Sequence, residues 1–175
     1  MEPANIDESQ LAGEDPSGYV ARLSREKATA IADRHDIDVI VVAADTTVDV
    51  DGQILEKPSD HADGRRMLQL LSGRSHLVHT GVTVLSRSPS GGPRRSKTLV
   101  VETVVRFVEL SEQAIDWYLS TGEHLGKAGG YGIQGAAGAF VERIDGSVTN
   151  VIGLPLAETL ALITGPSRNS ERSER

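Results

Sequence analysis

Six apolar residues in succession, 39–44, stop abruptly at Asp45-Thr46-Thr47. A short continuous apolar run of this kind suits a strand buried on both faces, and such a strand needs a covering layer on each side. Its neighbourhood supplies the layers. Upstream, Asp15-Pro16 reads as a helix start with proline at the first helical position, and Val20, Leu23, Lys27 and Ile31 recur at helical spacing, ending near His35. Downstream, Val48-Asp49-Val50 and Gln53-Ile54-Leu55 flank Asp51-Gly52, a hairpin signal. A helix is predicted over 61–71, stopped by Gly73, then two long Val- and Thr-rich strands over 75–86 and 98–109. Ser88-Pro89-Ser90-Gly91-Gly92-Pro93 between them reads as a mobile loop. Ser111 caps a helix through Tyr118, and Gly122 stops it. Residues 122–138 are Gly-rich and irregular, 139–144 form a strand, Asp145-Gly146 a turn, and Pro155 opens a last helix to about Thr164. The expected fold class is α/β, a mixed twisted sheet with flanking helices, in one domain over 1–164 with a disordered polar tail over 165–175.

Composition narrows the function. Aromatic residues are only 3%, so Val, Ile, Leu and Ala must fill the interior. A formal net charge of −7 disfavours nonspecific nucleic-acid binding, yet it leaves room for an anionic small molecule in a locally positive cleft. With no cysteine, there is no disulfide, thiolate metal site or cysteine nucleophile. No apolar run approaches the roughly 20 residues of a membrane span. The start, Met1-Glu2-Pro3-Ala4, lacks the pattern of a signal peptide. The expectation is a soluble cytoplasmic protein with neither nucleic-acid nor membrane partners.

Several residues could carry chemistry. Asp45 follows a buried strand directly, where ligands often sit in α/β sheets. A partly desolvated carboxylate there could hold a metal or take a proton from water, or it could simply form a turn with the amides of Thr46 and Thr47. Lys57, in Glu56-Lys57-Pro58, is either aimed into a cleft by the extended geometry that proline imposes or solvated at the surface. The hairpin folds the two back toward each other. Residues 122–135 carry six glycines together with His124, Lys127 and Gln134. Glycines let amides approach an anion, Lys127 adds a point charge, and Gln134 both donates and accepts, which suits a base edge; the alternative is a flexible loop without a ligand. The stretch is neither a Walker motif nor a Rossmann fingerprint. His76 and His79 fall on opposite strand faces and do not share a metal. Arg74 is a phosphate contact or a surface group, and Asp7-Glu8 a metal-binding pair or a solvated acidic segment.

Taken together, these segments resemble the Maf family. The resemblance runs through Ile6-Asp7-Glu8-Ser9, Glu26-Lys27-Ala28, Ala44-Asp45-Thr46-Thr47-Val48, Glu56-Lys57-Pro58 and Leu71-Ser72-Gly73-Arg74-Ser75-His76 with Val78, Thr80 and Gly81. It continues through Thr121-Gly122-Glu123, Gly126-Lys127-Ala128-Gly129-Gly130-Tyr131-Gly132-Ile133-Gln134-Gly135 and Asn150-Val151-Ile152-Gly153-Leu154-Pro155-Leu156. It implies a fold related to the inosine triphosphate pyrophosphatases, with two lobes around a cleft, and hydrolysis of a nucleoside triphosphate to monophosphate and pyrophosphate with a divalent cation, Mg or Mn. Asp45 matches the family's proton acceptor, with Lys57 and Lys127 as its catalytic partners. Thr46 and Gln134 match positions tied to base selection, and Glu123 and Arg74 are further substrate-binding candidates. Glu8 and Asp45 are the metal candidates. Gly-Tyr-Gly-Ile-Gln-Gly looks like the branch acting on dTTP and UTP rather than on 7-methyl-GTP. The family also implies a possible homodimer and an association with septum formation.

In one respect the chain departs from the family pattern. Family members begin with a strand and a Ser-Pro-Arg-Arg-type turn whose arginines and helix amides grip phosphate. This chain begins after that turn, and Pro93-Arg94-Arg95, in the hairpin loop, is no substitute. Either the start lies further upstream or the form is truncated, in which case weak triphosphate binding and a destabilised fold are expected. The alternative function is then a non-catalytic regulatory or division-associated protein on a truncated Maf scaffold. A third reading is a hydrolase of modified pyrimidine triphosphates.

Overall fold

The structure, a computed structural model, describes residues 2–87 and 94–165, so the loop expected at 88–93 and residues 166–175 of the tail expected over 165–175 lie outside the described residues. Helix α1 (Pro16–Ala32) starts where Asp15 accepts the Gly18 N–H at 2.6 Å. A hairpin follows, β1 (Val39–Val50) and β2 (Gln53–Leu55), whose turn residues Asp51 and Gly52 take φ of 55° and 80°, the two left-handed conformations of a primed turn. Helix α2 (His61–Leu71) is capped by Asp60, and α3 (Glu112–Ser120) by Ser111. Between them run the long strands β3 (Ser75–Arg87) and β4 (Arg95–Phe107). The Gly-rich segment contains two 3-10 turns, Ala128–Gly130 and Ala136–Phe140, and leads into β5 (Val141–Asp145), α4 (Val148–Ile152) and α5 (Leu156–Thr164).

The α/β class with helices flanking the sheet holds, but the strand pairing differs from expectation. The order is β2-β1-β3-β4-β5, and every pairing is antiparallel rather than mixed. The first strand also differs. It does not end at Asp45-Thr46-Thr47 but continues to Val50, because Asp45, Thr46 and Thr47 pair with Gly81, Thr80 and His79 of β3. The ladder overrides the local turn preference of the Asp-Thr-Thr sequence. Nor is the strand buried on both faces in its first half, since Ile40 is 69% exposed.

Alternation sorts the side chains into two layers. Val39, Val41, Ala43, Asp45 and Thr47 of β1 share a face with His79, Gly81, Thr83 and Leu85 of β3, and α1 covers it. Ala28 and Ala32 pack on Leu85, and Ser24 meets Thr83 at 2.9 Å. Gly81 permits the closest approach, as a Cβ there would lie 2.3 Å from the Val20 carbonyl oxygen. On the opposite face, Val48, Val50, Val78, Val105 and Phe107 form the main core with Met67, Leu68, Leu71, Ile115, Tyr118 and Tyr131. His76 lies in this core, its Nε2 2.7 Å from the Tyr131 hydroxyl, and burial pushes its pKa down to about 4. His79 faces the other layer, beside Ser17, so the two histidines do lie on opposite sides of the sheet. Among the described residues no helix is long and apolar enough to cross a membrane.

Sheet topology positions the site. β2 pairs with β1 only over residues 48–50, so among the described residues 39–47 have no partner on that side. Asp45 and Thr46 therefore sit on an open strand edge, one facing the α1 layer and the other the opposite layer.

Candidate active site

Two hollows meet at that edge. The first, about 390 Å³, is lined by residues that include Glu8, Tyr19, Asp45, Thr46, Glu56 and Lys57, together with Asp7 and Ala128. The second, about 560 Å³, shares Asp45, Thr46, Lys57 and Ala128 and extends past Lys27, Glu123, Lys127 and Gln134 to Val151–Gly153, residues 151–153. Asp45, Lys57 and Lys127 thus come together on one cleft large enough for a nucleotide.

The electrostatic centre is a chain of alternating charge. Lys27 Nζ lies 2.5 Å from Asp45 Oδ1 and 2.7 Å from Glu8 Oε1, and Lys57 Nζ lies 3.0 Å from Glu8 Oε2. Tyr19 pins the Glu8 segment by donating its hydroxyl to the Glu8 carbonyl at 2.8 Å. Burial, then the nearby Asp45, Glu56 and Glu8 charges, push the Tyr19 phenol up to about 12. Burial raises the Asp45 pKa above the ordinary carboxylate value, and Lys27 offsets only part of that rise. Lys27 itself is pushed down by burial, but its two carboxylates outweigh this and hold it above the usual lysine value. Lys27 holds Glu8 below its ordinary value, against burial and with help from Lys57. One half-buried cation serves two carboxylates, and it only partly offsets the cost of burying the deeper one, Asp45. Lys27 is a cleft residue that sequence spacing alone does not single out. Its signal was its place on the helical face that covers the strand.

The opposite wall is the Gly-rich segment. Gly129, at φ 66°, donates its N–H to the Glu56 carbonyl at 3.1 Å, and a Cβ there would lie 2.9 Å from Val48 Cγ2, so only glycine lets the wall close on the hairpin. The Lys127 stem crosses the bare Gly132, 2.7 Å from where a Cβ would stand. Among the described residues neither the Lys127 ammonium nor the Gln134 amide has a hydrogen-bond or ion-pair partner, so both are free for a ligand. Glu123 also lines the cleft, but one carboxylate oxygen is committed, accepting the Ala136 N–H at 2.8 Å.

Two candidates are already paired. Arg74 lines neither hollow; its guanidinium pairs with Asp51 at the hairpin turn, which draws it away from the cleft. Glu8 is occupied by two lysines rather than facing a carboxylate cluster. Among the described residues no three His, Asp or Glu side chains are placed to hold a metal. Of the carboxylates that line the joined hollows, Asp45 and Glu8, which share Lys27, nevertheless suit a hard cation such as Mg, which takes one or two carboxylates and leaves its other positions to phosphate and water.

Comparison with known proteins bears on the family. The sequence profile of the family described as Maf-like protein matches residues 1–165. The chain is 50% identical over 163 residues to a dTTP/UTP pyrophosphatase of Anaeromyxobacter dehalogenans (strain 2CP-C), covering 93% of this chain and 80% of that protein. It is 52% identical over 159 residues to the dTTP/UTP pyrophosphatase of Sphingopyxis alaskensis, covering 91% and 80%. It is 48% identical over 159 residues to that of Vibrio cholerae, covering 91% and 82%.

Proposed function

The chain belongs to the Maf family, and on that premise we propose that it is a nucleoside triphosphate pyrophosphatase that hydrolyses dTTP and UTP to the monophosphate and pyrophosphate. The observation that carries the reading at the level of residues is the meeting of a buried carboxylate, three lysines and a free amide on one cleft.

The chemistry follows from charge. Water attacks the α-phosphorus, the bond to the β-phosphate oxygen breaks, and pyrophosphate leaves with additional negative charge. Asp45 takes the proton of the attacking water, and its raised pKa brings its basicity closer to that task than an ordinary aspartate's. Lys27 keeps the carboxylate oriented and ionised, at 2.5 Å. Lys57, 59% exposed, and Lys127 stand where the triphosphate charge would lie. A divalent cation held by Asp45 and Glu8 would supply further neutralisation of the departing phosphates. Gln134 and Thr46 meet the base, with Val151 and Ile152 beside them. The same reading places the enzyme with the nucleotide pool of the cytoplasm.

Asp45→Asn is the direct test, because it keeps shape and removes the proton acceptor. Pyrophosphate release from dTTP should fall by about 10²–10⁴ with the fold intact by circular dichroism. A folded variant that releases pyrophosphate at the native rate refutes the assignment of Asp45.

A further inference from the structure

Behind the cleft wall stands a buried relay of hydroxyls and carbonyls. Thr46 Oγ1 lies 2.8 Å from Thr80 Oγ1, and Thr80 Oγ1 lies 3.0 Å from the Asn150 carbonyl oxygen. Thr80 and Asn150 are fully buried. The Asn150 side-chain amide anchors the relay, donating to the Val78 carbonyl and to Thr103 Oγ1, both at 3.0 Å. The Gly153 N–H also donates to the Asn150 carbonyl, at 2.9 Å.

Proton counting fixes the direction of this relay. A hydroxyl carries one proton and a carbonyl oxygen none. Both contacts of Thr80 are made together only if Thr80 gives its proton to Asn150 and accepts the proton of Thr46. The Thr46 proton then points into the wall, and lone pairs are what its oxygen has left for the cleft.

This matters because the other polar group on the base-binding side, Gln134, is ambivalent. An amide turned over by 180° exchanges donor for acceptor, and among the described residues nothing is bonded to the Gln134 side chain to choose between the two. Gln134 alone can therefore pair with a carbonyl or with an exocyclic amine. Discrimination needs a group whose polarity cannot invert. Thymine and uracil share a ring N3–H, whereas cytosine has a lone pair at N3.

We propose that Thr80, backed by the Asn150 carbonyl, is a positioning residue that locks Thr46 as a hydrogen-bond acceptor for the N3–H of thymine or uracil, and so sets the preference for dTTP and UTP over cytidine nucleotides. The inference rests on the substrate reading above and adds the residue that enforces it. Lone pair would face lone pair if cytosine entered, and the part-buried oxygen of Thr46 would be left without a donor.

Thr80→Val tests it. Valine keeps the shape of threonine and leaves the Asn150 carbonyl its bond from Gly153, but it frees the Thr46 proton to turn toward the cleft. The ratio of kcat/KM for dTTP to that for dCTP should fall about tenfold, mainly through a lower KM for dCTP, while Thr80→Ser should keep the native ratio. A folded Thr80→Val enzyme with the native ratio overturns the proposal. Should that variant not fold, the native enzyme decides with N3-methyl-dTTP, which lacks the donor: a loss of at least about tenfold against dTTP is expected, and equal turnover overturns the proposal. A native enzyme that shows no preference for dTTP over dCTP removes the substrate reading and this inference with it, whereas a preference that survives in folded Thr80→Val removes this inference alone.

Discussion

Gly135→Ala is a small substitution whose effect should change sign with its surroundings. Gly135 has φ −109° and ψ −151°, backbone that any residue adopts, so alanine brings no conformational strain. Its Cβ would, however, stand 2.0 Å from Glu123 Oε2 and 2.8 Å from Glu123 Cδ. The carboxylate ends a flexible side chain, so the clash is relieved by rotation rather than by moving main chain. What is lost is its bond to the Ala136 N–H at 2.8 Å. A hydrogen bond to a charged group contributes about 1.5–3 kcal/mol, and the part-buried setting favours the lower end. Against this, replacing glycine by alanine stabilises by about 0.4–1 kcal/mol through the unfolded chain. The net expectation is a loss of about 1 kcal/mol, or about 2–4 °C in Tm for a domain of this size. In a Glu123→Ala background the bond and the clash are already gone, and only the chain-entropy gain remains, so Gly135→Ala should stabilise by about 0.4–1 kcal/mol. Urea unfolding of the native protein, both single variants and the double variant measures the cycle. The same cost of Gly135→Ala in both backgrounds would refute the claim that Glu123 clasps this wall. Because Gln134 is the adjacent residue, the single variant should also raise KM for dTTP more than it lowers kcat.

Other substitutions separate architecture from chemistry. Gly81→Ala should destabilise by at least about 3 kcal/mol in urea unfolding, because a Cβ there meets the main chain of Val20 at 2.3 Å with no side chain able to yield. Lys57→Ala, at a side chain 59% exposed, should change stability by less than about 1 kcal/mol while raising KM for dTTP. His76 is buried, with its pKa pushed down to about 4, so the folded state resists protonation that the unfolded chain accepts near its ordinary 6.5. Below pH 6.5 the unfolded chain binds the extra proton, and stability falls with acidification until about pH 4. His76→Gln should remove about 2–3 kcal/mol of the loss between pH 7 and pH 4.5. Parallel curves for native protein and variant in urea unfolding at the two pH values would contradict that account.

Where a local signal was strong, the elements were legible. Asp60 before residue 61, Ser111 before residue 112 and the Asp51-Gly52 turn each specify their structure within a few residues, and the observed bounds of α2 coincide with those read from the spacing. The errors arose where a distant partner decided. Asp45-Thr46-Thr47 has the composition of a turn, yet the ladder with Gly81, Thr80 and His79 keeps it extended. Helix α4 is hidden in the sequence because Val148, Thr149 and Val151 are β-branched; its Ser147 cap and left-handed Gly153 are its only local signs. The resemblance implies that residues 45, 57 and 127 converge, and the structure brings them to one cleft. Lys27 is 18 residues from Asp45 in sequence, and only the packing of α1 on the sheet reveals their contact. The sequence leaves Arg74 as a phosphate contact or a surface group, and its pairing with Asp51 at the hairpin turn favours the second.

The bare backbone at Gly81 has a mechanical consequence. Elsewhere a helix rests on its sheet through a layer of side chains that can re-pack by changing rotamers, and so can glide a little. At Gly81 main chain rides on main chain, and α1 has no such bearing beneath it. Lys27, two turns further along the same helix, is thereby carried at a fixed height above Asp45. One jaw of the cleft is rigid by construction, and whatever adjustment a nucleotide demands must come from the glycine-jointed jaw that faces it.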